Sequence, residues 1–206
     1  MPADNFQTLI AQAEFRQKIE RSEFLGIAFP VTADDAFFEE LTTIEKRYHD
    51  ATHHCWAFRF FSDGNVRQRS SDAGEPAGTA GKPILSAIEG AALHDLGVVV
   101  VRWYGGVKLG SGGLTRAYRD TAARTLAGAP VVTRYLYERF DVEVPFASMN
   151  VAYRLVDPPA VVLAGEDFAE SNHFQFDVRV SRAVEFVRSL SERRLGFTRD
   201  PTPRLR

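Results

Sequence analysis

Two glycine-rich segments hold the residue types that could do chemistry. The first runs Ser70-Ser71-Asp72-Ala73-Gly74-Glu75-Pro76-Ala77-Gly78-Thr79-Ala80-Gly81-Lys82-Pro83 and leads into an apolar run of helical period. A Walker-type phosphate loop needs glycine five residues before Gly81, where Pro76 stands, and Ser or Thr after Lys82, where Pro83 stands. That route to nucleotide hydrolysis fails on both counts. What remains is a turn built on Gly74, Gly78 and Gly81 that enters a helix capped by Thr79. Its free N–H groups and dipole, beside Lys82, favour an anion. The same glycines would serve equally to pack the loop on its own domain. Asp72 and Glu75 could form a carboxylate pair, or act as a solvated acid and a helix-capping acid.

The second segment, Arg102-Trp103-Tyr104-Gly105-Gly106-Val107-Lys108-Leu109-Gly110-Ser111-Gly112-Gly113-Leu114-Thr115-Arg116, joins a valine run to another helix start. A dinucleotide fingerprint would need a third spaced glycine at Thr115, and no serine sits in a GxSxG elbow. Arg102, Lys108 and Arg116 could meet phosphates while Tyr104 or Trp103 stacks on a base. Strand alternation sends one of those two aromatics into the core. Only four of the 25 basic residues are lysine, and two of them, Lys82 and Lys108, fall in these segments. The candidate anion or nucleic-acid site thus comprises Asp72, Gly74, Glu75, Gly78, Thr79, Gly81 and Lys82 from the first segment. The second contributes Arg102, Tyr104, Gly105, Gly106, Lys108, Gly110, Gly112, Gly113 and Arg116. We expect the two segments to lie side by side, with both helix starts facing one groove.

His53-His54-Cys55 invites a metal or thiol reading. In a strand, His53 and Cys55 share one face and His54 the other, so the three cannot converge. With no second cysteine and no HxxxH or HExxH, neither a metal nor another cofactor is expected. Cys55 reads as a small buried hydrophobe.

The elements that would position these residues follow from period and breakers. Glu23–Val31 reads as a strand. Asp34-Asp35 opens a helix through Phe37, Phe38, Leu41 and Ile44. His54–Phe61 is an aromatic strand closed by a Ser62-Asp63-Gly64-Asn65 turn. Val98–Val101 is a buried strand, and Gly113–Ala127 a helix stopped by Gly128 and Pro130. The pattern then restarts: strand 140–144, helix 148–155, strands 161–164 and 174–180, helix 183–190 and a tail strand at 195–198. That order suggests a ferredoxin-like unit. The expected fold class is α+β with two domains, 1–135 and 136–206.

Composition limits the function classes. At 206 residues, 45% hydrophobic and 25% charged, the chain is globular, and no apolar run approaches a membrane span. A start without a cationic stretch or apolar core leads us to expect no secretory signal, and a lone cysteine suits a reducing cytoplasm. The net charge of -2 is unevenly spread: residues 100–139 hold seven Lys/Arg against two Asp/Glu, whereas residues 1–50 hold five against ten. One face is therefore expected to be basic, either for a partner or as solvated helix surface.

The runs HHCWAF (53–58), DAGEPAGTAGKPIL (72–85) and VVVRWYGGVKLGSGGLTRAY (99–118) strongly resemble the YigZ/IMPACT family, from about Phe15 to Leu126. Ala73 stands where many relatives carry a second Asp. The resemblance implies an N-terminal domain like elongation factor G domain IV, a two-layer α/β sandwich, and a ferredoxin-like second domain resembling domain V. It also implies a link to translation, which eukaryotic relatives regulate through a starvation-sensing kinase and its activator. Two functions stay open. One is a non-catalytic protein that binds RNA, the ribosome or a translation-related protein through the two loops and the basic strip. The other is an enzyme acting on a small phosphorylated or anionic ligand in the same cleft.

Overall fold

A computed structural model describes residues 4–62, 65–168 and 172–205, and the chain divides into two units. The first spans Phe6–Thr133; the second takes Asp4, Asn5 and the residues from Arg134 onward. In chain order the first unit holds most of β1 (Asn5–Leu9), then β2 (Ala13–Ile19), β3 (Ser22–Pro30), α1 (Asp34–Arg47), β4 (His53–Ser62), β5 (Asn65–Ser71), α2 (Gly81–Gly90), β6 (Leu96–Trp103) and α3 (Gly110–Ala127). The second holds most of β7 (Val131–Val144), α4 (Met149–Tyr153), β8 (Val161–Asp167), β9 (Asn172–Arg179), α5 (Ala183–Glu192) and β10 (Gly196–Leu205).

The first unit is an antiparallel sheet in the order β2-β3-β6-β4-β5. Strand β6 lies at its centre, and Val98 to Val101 are fully buried because both faces are covered. Val98 and Val100 meet Ile84 and Ile88 of α2 and Tyr118 and Ala122 of α3. Val99 and Val101 meet Phe37, Leu41 and Ile44 of α1 on the other side. A strand buried on two faces reads as an unbroken apolar run, which is why it is plain in the sequence. Helix α1 makes the expected two-layer sandwich one layer thicker, drawn onto the sheet by Phe37, which stacks at 5.6 Å on Phe29.

The second unit is an antiparallel sheet ordered β10-β7-β9-β8. Phe140, Val142, Phe174 and Phe176 form a core with Ala152, Phe186 and Leu190 of the two helices. This is the ferredoxin-like arrangement. Its edge strand β10 runs to Leu205, well past the expected end near Thr198, and its register shifts between Asp200 and Arg204, where Pro201 and Pro203 cannot donate to the ladder.

Three differences from the expected layout have physical causes. The expected boundary between residues 135 and 136 lies inside one continuous strand, β7, and the units divide there between Thr133 and Arg134. Asp4 joins the second unit because its carboxylate accepts from Arg179 at 2.7 and 3.0 Å and from the Ser181 N–H at 3.1 Å. Strand β2 escaped notice because its half-exposed alternation contains no long apolar run. The central Asp63 and Gly64 of the expected hairpin turn lie outside the described residues, although β4 and β5 pair with Ser62 opposite Asn65. Among the described residues no helix is long and apolar enough to cross a membrane.

Candidate functional site

Asp72 organises the first loop. Its carboxylate accepts N–H bonds from Gly78 (2.8 Å), Ala80 (2.9 Å) and Gly81 (2.8 Å), and its carbonyl accepts from Glu75 N–H and Cys55 Sγ, both at 2.9 Å. Burial alone would raise this carboxyl; the three N–H bonds, with Lys82 beside them, outweigh burial and hold it below the usual carboxylate range. The start of α2 is therefore already served by an anion from the protein's own chain. This corrects the expectation of free N–H groups at that helix start. It also corrects the cap: Thr79 is buried and its hydroxyl donates to the Pro76 carbonyl at 2.7 Å, so Asp72 does the capping from outside the helix.

Glu75 points inward. It accepts from Arg102 Nη1 at 2.5 Å and from the Tyr118 hydroxyl at 2.7 Å, with His53 Nε2 at 3.9 Å. Arg102 is only 4% exposed, and its Nη2 donates to Ser22 Oγ at 3.2 Å. Its guanidinium lies 5.4 Å from the Phe24 ring centre and 5.3 Å from that of Tyr104. Arg102 cannot be an exposed phosphate ligand, and Glu75 is neither a solvated acid nor a cap. Together with Tyr118 they form a buried bracket that joins the first loop, the end of β6 and α3. Sequence reasoning left Ser22 and Tyr118 out of the candidate set. The signal for Tyr118 was a lone polar tip on the apolar stripe of α3, between Leu114 and Ala122.

Burial first, and then the Cys55 and Glu75 neighbours, push the Tyr118 hydroxyl far above its usual value. Burial pushes the Cys55 thiol up to about 12, so it is a packed thiol and not a nucleophile. His53 Nδ1 donates to the Ala73 carbonyl at 3.0 Å, whereas His54 Nε2 contacts the Tyr48 carbonyl at 3.1 Å. The two rings are held by different parts of the chain, as strand alternation requires. Among the described residues no three His, Cys, Asp or Glu side chains are grouped to hold a metal ion.

The second loop presents its exposed residues above this bracket. Gly105 is a packing glycine: a Cβ there would overlap the Arg21 carbonyl, while its N–H donates to Ser22 Oγ at 3.3 Å. Gly106 and Gly110 have left-handed backbones (φ +84° and +68°), and a Cβ on either would meet nothing within 4 Å. Helix α3 begins at Gly110, a turn earlier than expected, so Gly112 and Gly113 belong to its first turn. Trp103 is half-buried on the α1 side with Nε1 donating to Asp50 at 3.0 Å, and Tyr104 is 44% exposed. Lys82, Lys108 and Arg116 are exposed, as is Gly74; Gly81 is buried and Gly78 intermediate.

Helices α2 and α3 run the same way. Leu93, just past α2, and Ala129 and Val131, just past α3, close the same end of the groove between them. Both helix starts therefore point toward its other end, where α3, longer by eight residues, reaches about 12 Å farther than α2.

This molecule is of a two-unit α+β class in which a buried Glu-Arg-Tyr bracket supports two glycine-rich loops. The family model described as the Impact N-terminal domain matches residues 20–126. An IMPACT family member of Haemophilus influenzae is 30% identical over 183 residues, covering 88% of this chain and 89% of that one. IMPACT family member YigZ of Escherichia coli is 38% identical over 103 residues, half of each chain. A crystal structure described as a hypothetical protein shares the fold, with a TM-score of 0.65 at 23% identity, over 98% of this chain and 97% of that one. The chain belongs to the IMPACT family, as its loop motifs led us to expect.

Proposed function

We propose that this protein is a non-catalytic binding protein that contacts RNA of the translation apparatus through the surface where α2 and α3 begin. The observation that carries the reading is the bracket of Glu75, Arg102 and Tyr118. It consumes the buried charges internally and fixes the backbone on which Lys82, Tyr104, Lys108 and Arg116 stand exposed. Three exposed cations and one exposed aromatic on these two segments, with left-handed glycines leaving space beside them, suit a phosphate backbone with a base stacked on Tyr104. Membership of the IMPACT family supports the link to translation, because eukaryotic members regulate it. Such a partner is met in the cytoplasm, and the ribosome is its richest source.

Titration of single-stranded RNA against salt concentration tests this. Each phosphate neutralised releases counterions, so the double variant Lys108→Ala/Arg116→Ala should bind more weakly across sequences. Its log–log salt slope should be flatter by roughly 1 per lost contact. Unchanged affinity and slope in a folded double variant would remove the reading.

A further inference from the structure

The groove between α2 and α3 changes character along its length, and the RNA reading uses only one end. Beyond the helix starts it has a volume of about 650 Å³ and is lined by Ala87, Gly90, Ala123, Leu126 and Ala127, with Leu93 at its closed end. A Cβ on Gly90 would meet nothing within 4 Å, so the wall is open there. Ile10 (61% exposed), whose N–H bonds the Pro130 carbonyl, and Val131 (42% exposed) extend the apolar surface at the closed end. At the other end the groove meets cations. Arg119 lines it, Arg116 lies three residues before Arg119, and Lys82 lies four before Ser86 on the same face of α2. Glu89, the only acid on α2, accepts a hydrogen bond from Gln68 of β5.

We propose that this groove seats an amphipathic helix of a protein partner, apolar along one face and acidic at the end that meets Lys82, Arg116 and Arg119. Small residues on both walls let a third helix approach to ordinary interaxial distance. Two parallel helices offer a straight seat, and the span from Arg119 to Ala127 is about 12 Å, enough for two turns of a guest. The gradient from cation to alanine and leucine sets the polarity of the guest by charge complementarity. RNA has no apolar stripe with which to cover Ala123, Leu126 and Val131, and would leave that half of the groove wet.

The test uses the full chain and a synthetic, fluorescently labelled helical peptide of about five turns. It carries leucines at i, i+4 and i+7, matching the two-turn seat, and glutamates in one terminal turn. Fluorescence anisotropy should show saturable binding that weakens about tenfold or more when the groove is filled by the neutral changes Gly90→Leu or Ala123→Trp. Both positions are exposed, and circular dichroism and melting verify folding. Arg119→Ala should weaken binding and reduce its salt sensitivity. Lys108→Ala, which bears on the RNA reading, should leave peptide affinity unchanged, so the two readings fail separately. Two results would overturn the proposal: equal affinity in the filled variants, or equal binding of a peptide with lysines in place of the glutamates. A dimer of the chain alone, dissolved by the same groove-filling changes, would replace the partner helix with a second copy and also overturn it.

Discussion

Glu75 and Arg102 are each almost fully buried, and charges so placed persist only when each answers the other. Removing one leaves the other stranded. Glu75→Gln should therefore cost about 3–5 kcal/mol in a denaturant melt of the first unit. Restoring neutrality with Glu75→Gln/Arg102→Met should recover part of that loss, a coupling that a double-mutant cycle would measure. If Glu75→Gln unfolded like the parent, the bracket would not be holding the loops. None of this is legible in the local sequence. Arg102 ends a strand and precedes Trp-Tyr-Gly-Gly, a context that reads as an exposed cation, and its burial is decided by an acid 27 residues earlier. Asp72 and Glu75 look interchangeable in the sequence, yet one faces the helix start and the other the core. Lys82, Lys108 and Arg116 needed no such partner, so an exposed position was the correct expectation for them.

At the scale of elements, the start of α2 depends on a residue outside it. Asp72 satisfies three N–H groups at once, whereas an ordinary cap satisfies one or two. Asp72→Ala should lower stability by about 2 kcal/mol, at the upper end of capping effects, and Asp72→Asn should lose less because its amide oxygen still accepts. Thermal melts of the two variants check this; an Asp72→Ala melt equal to the parent's would contradict it. The elements themselves were largely visible: the valine run, the Asp34-Asp35 helix start and the strand–helix order after Phe140 each follow from period and breakers. What escaped was set by tertiary contact. The cap is one case, because the turn through Pro76 and Gly78 brings Asp72 back to the helix. Strand β2 is another, because a strand that buries only alternate residues by half gives no apolar signal. The start of α3 at Gly110 is a third, since glycine carries no helix signal of its own.

At the scale of the whole molecule, the two units should lose stability in different acid windows. In the first, burial, with Arg59 nearby, pushes His94 down to about 4 from an ordinary 6.5. Its ring stacks on Phe61 at 4.4 Å, and its buried Nδ1 has no hydrogen-bond partner. The unfolded chain takes up that proton first, so stability present above pH 6.5 falls as the pH drops toward 4. In the second, burial would raise Asp4, but hydrogen bonds from Arg179 and Ser181 bring it to about 2, so its contribution is present above 3.8 and lost as the pH falls toward 2. His94→Leu should flatten the pH dependence of the first unit's melting temperature between 6.5 and 4 and leave the second unit's unchanged. An unaltered slope would mean that His94 is not the titrating group.

The proposed grip of the α2 and α3 starts on the translation apparatus belongs to the whole molecule as well. Its most direct test is cosedimentation of the full chain with purified ribosomes at a series of salt concentrations, with Lys82→Ala/Lys108→Ala/Arg116→Ala alongside. The parent should pellet with ribosomes at low salt and be released as salt rises. The triple variant, folded and melting like the parent because exposed cations contribute at most about 1 kcal/mol, should stay in the supernatant. A triple variant that pelleted as the parent does, or a parent that never pelleted, would rule out ribosome binding through this face.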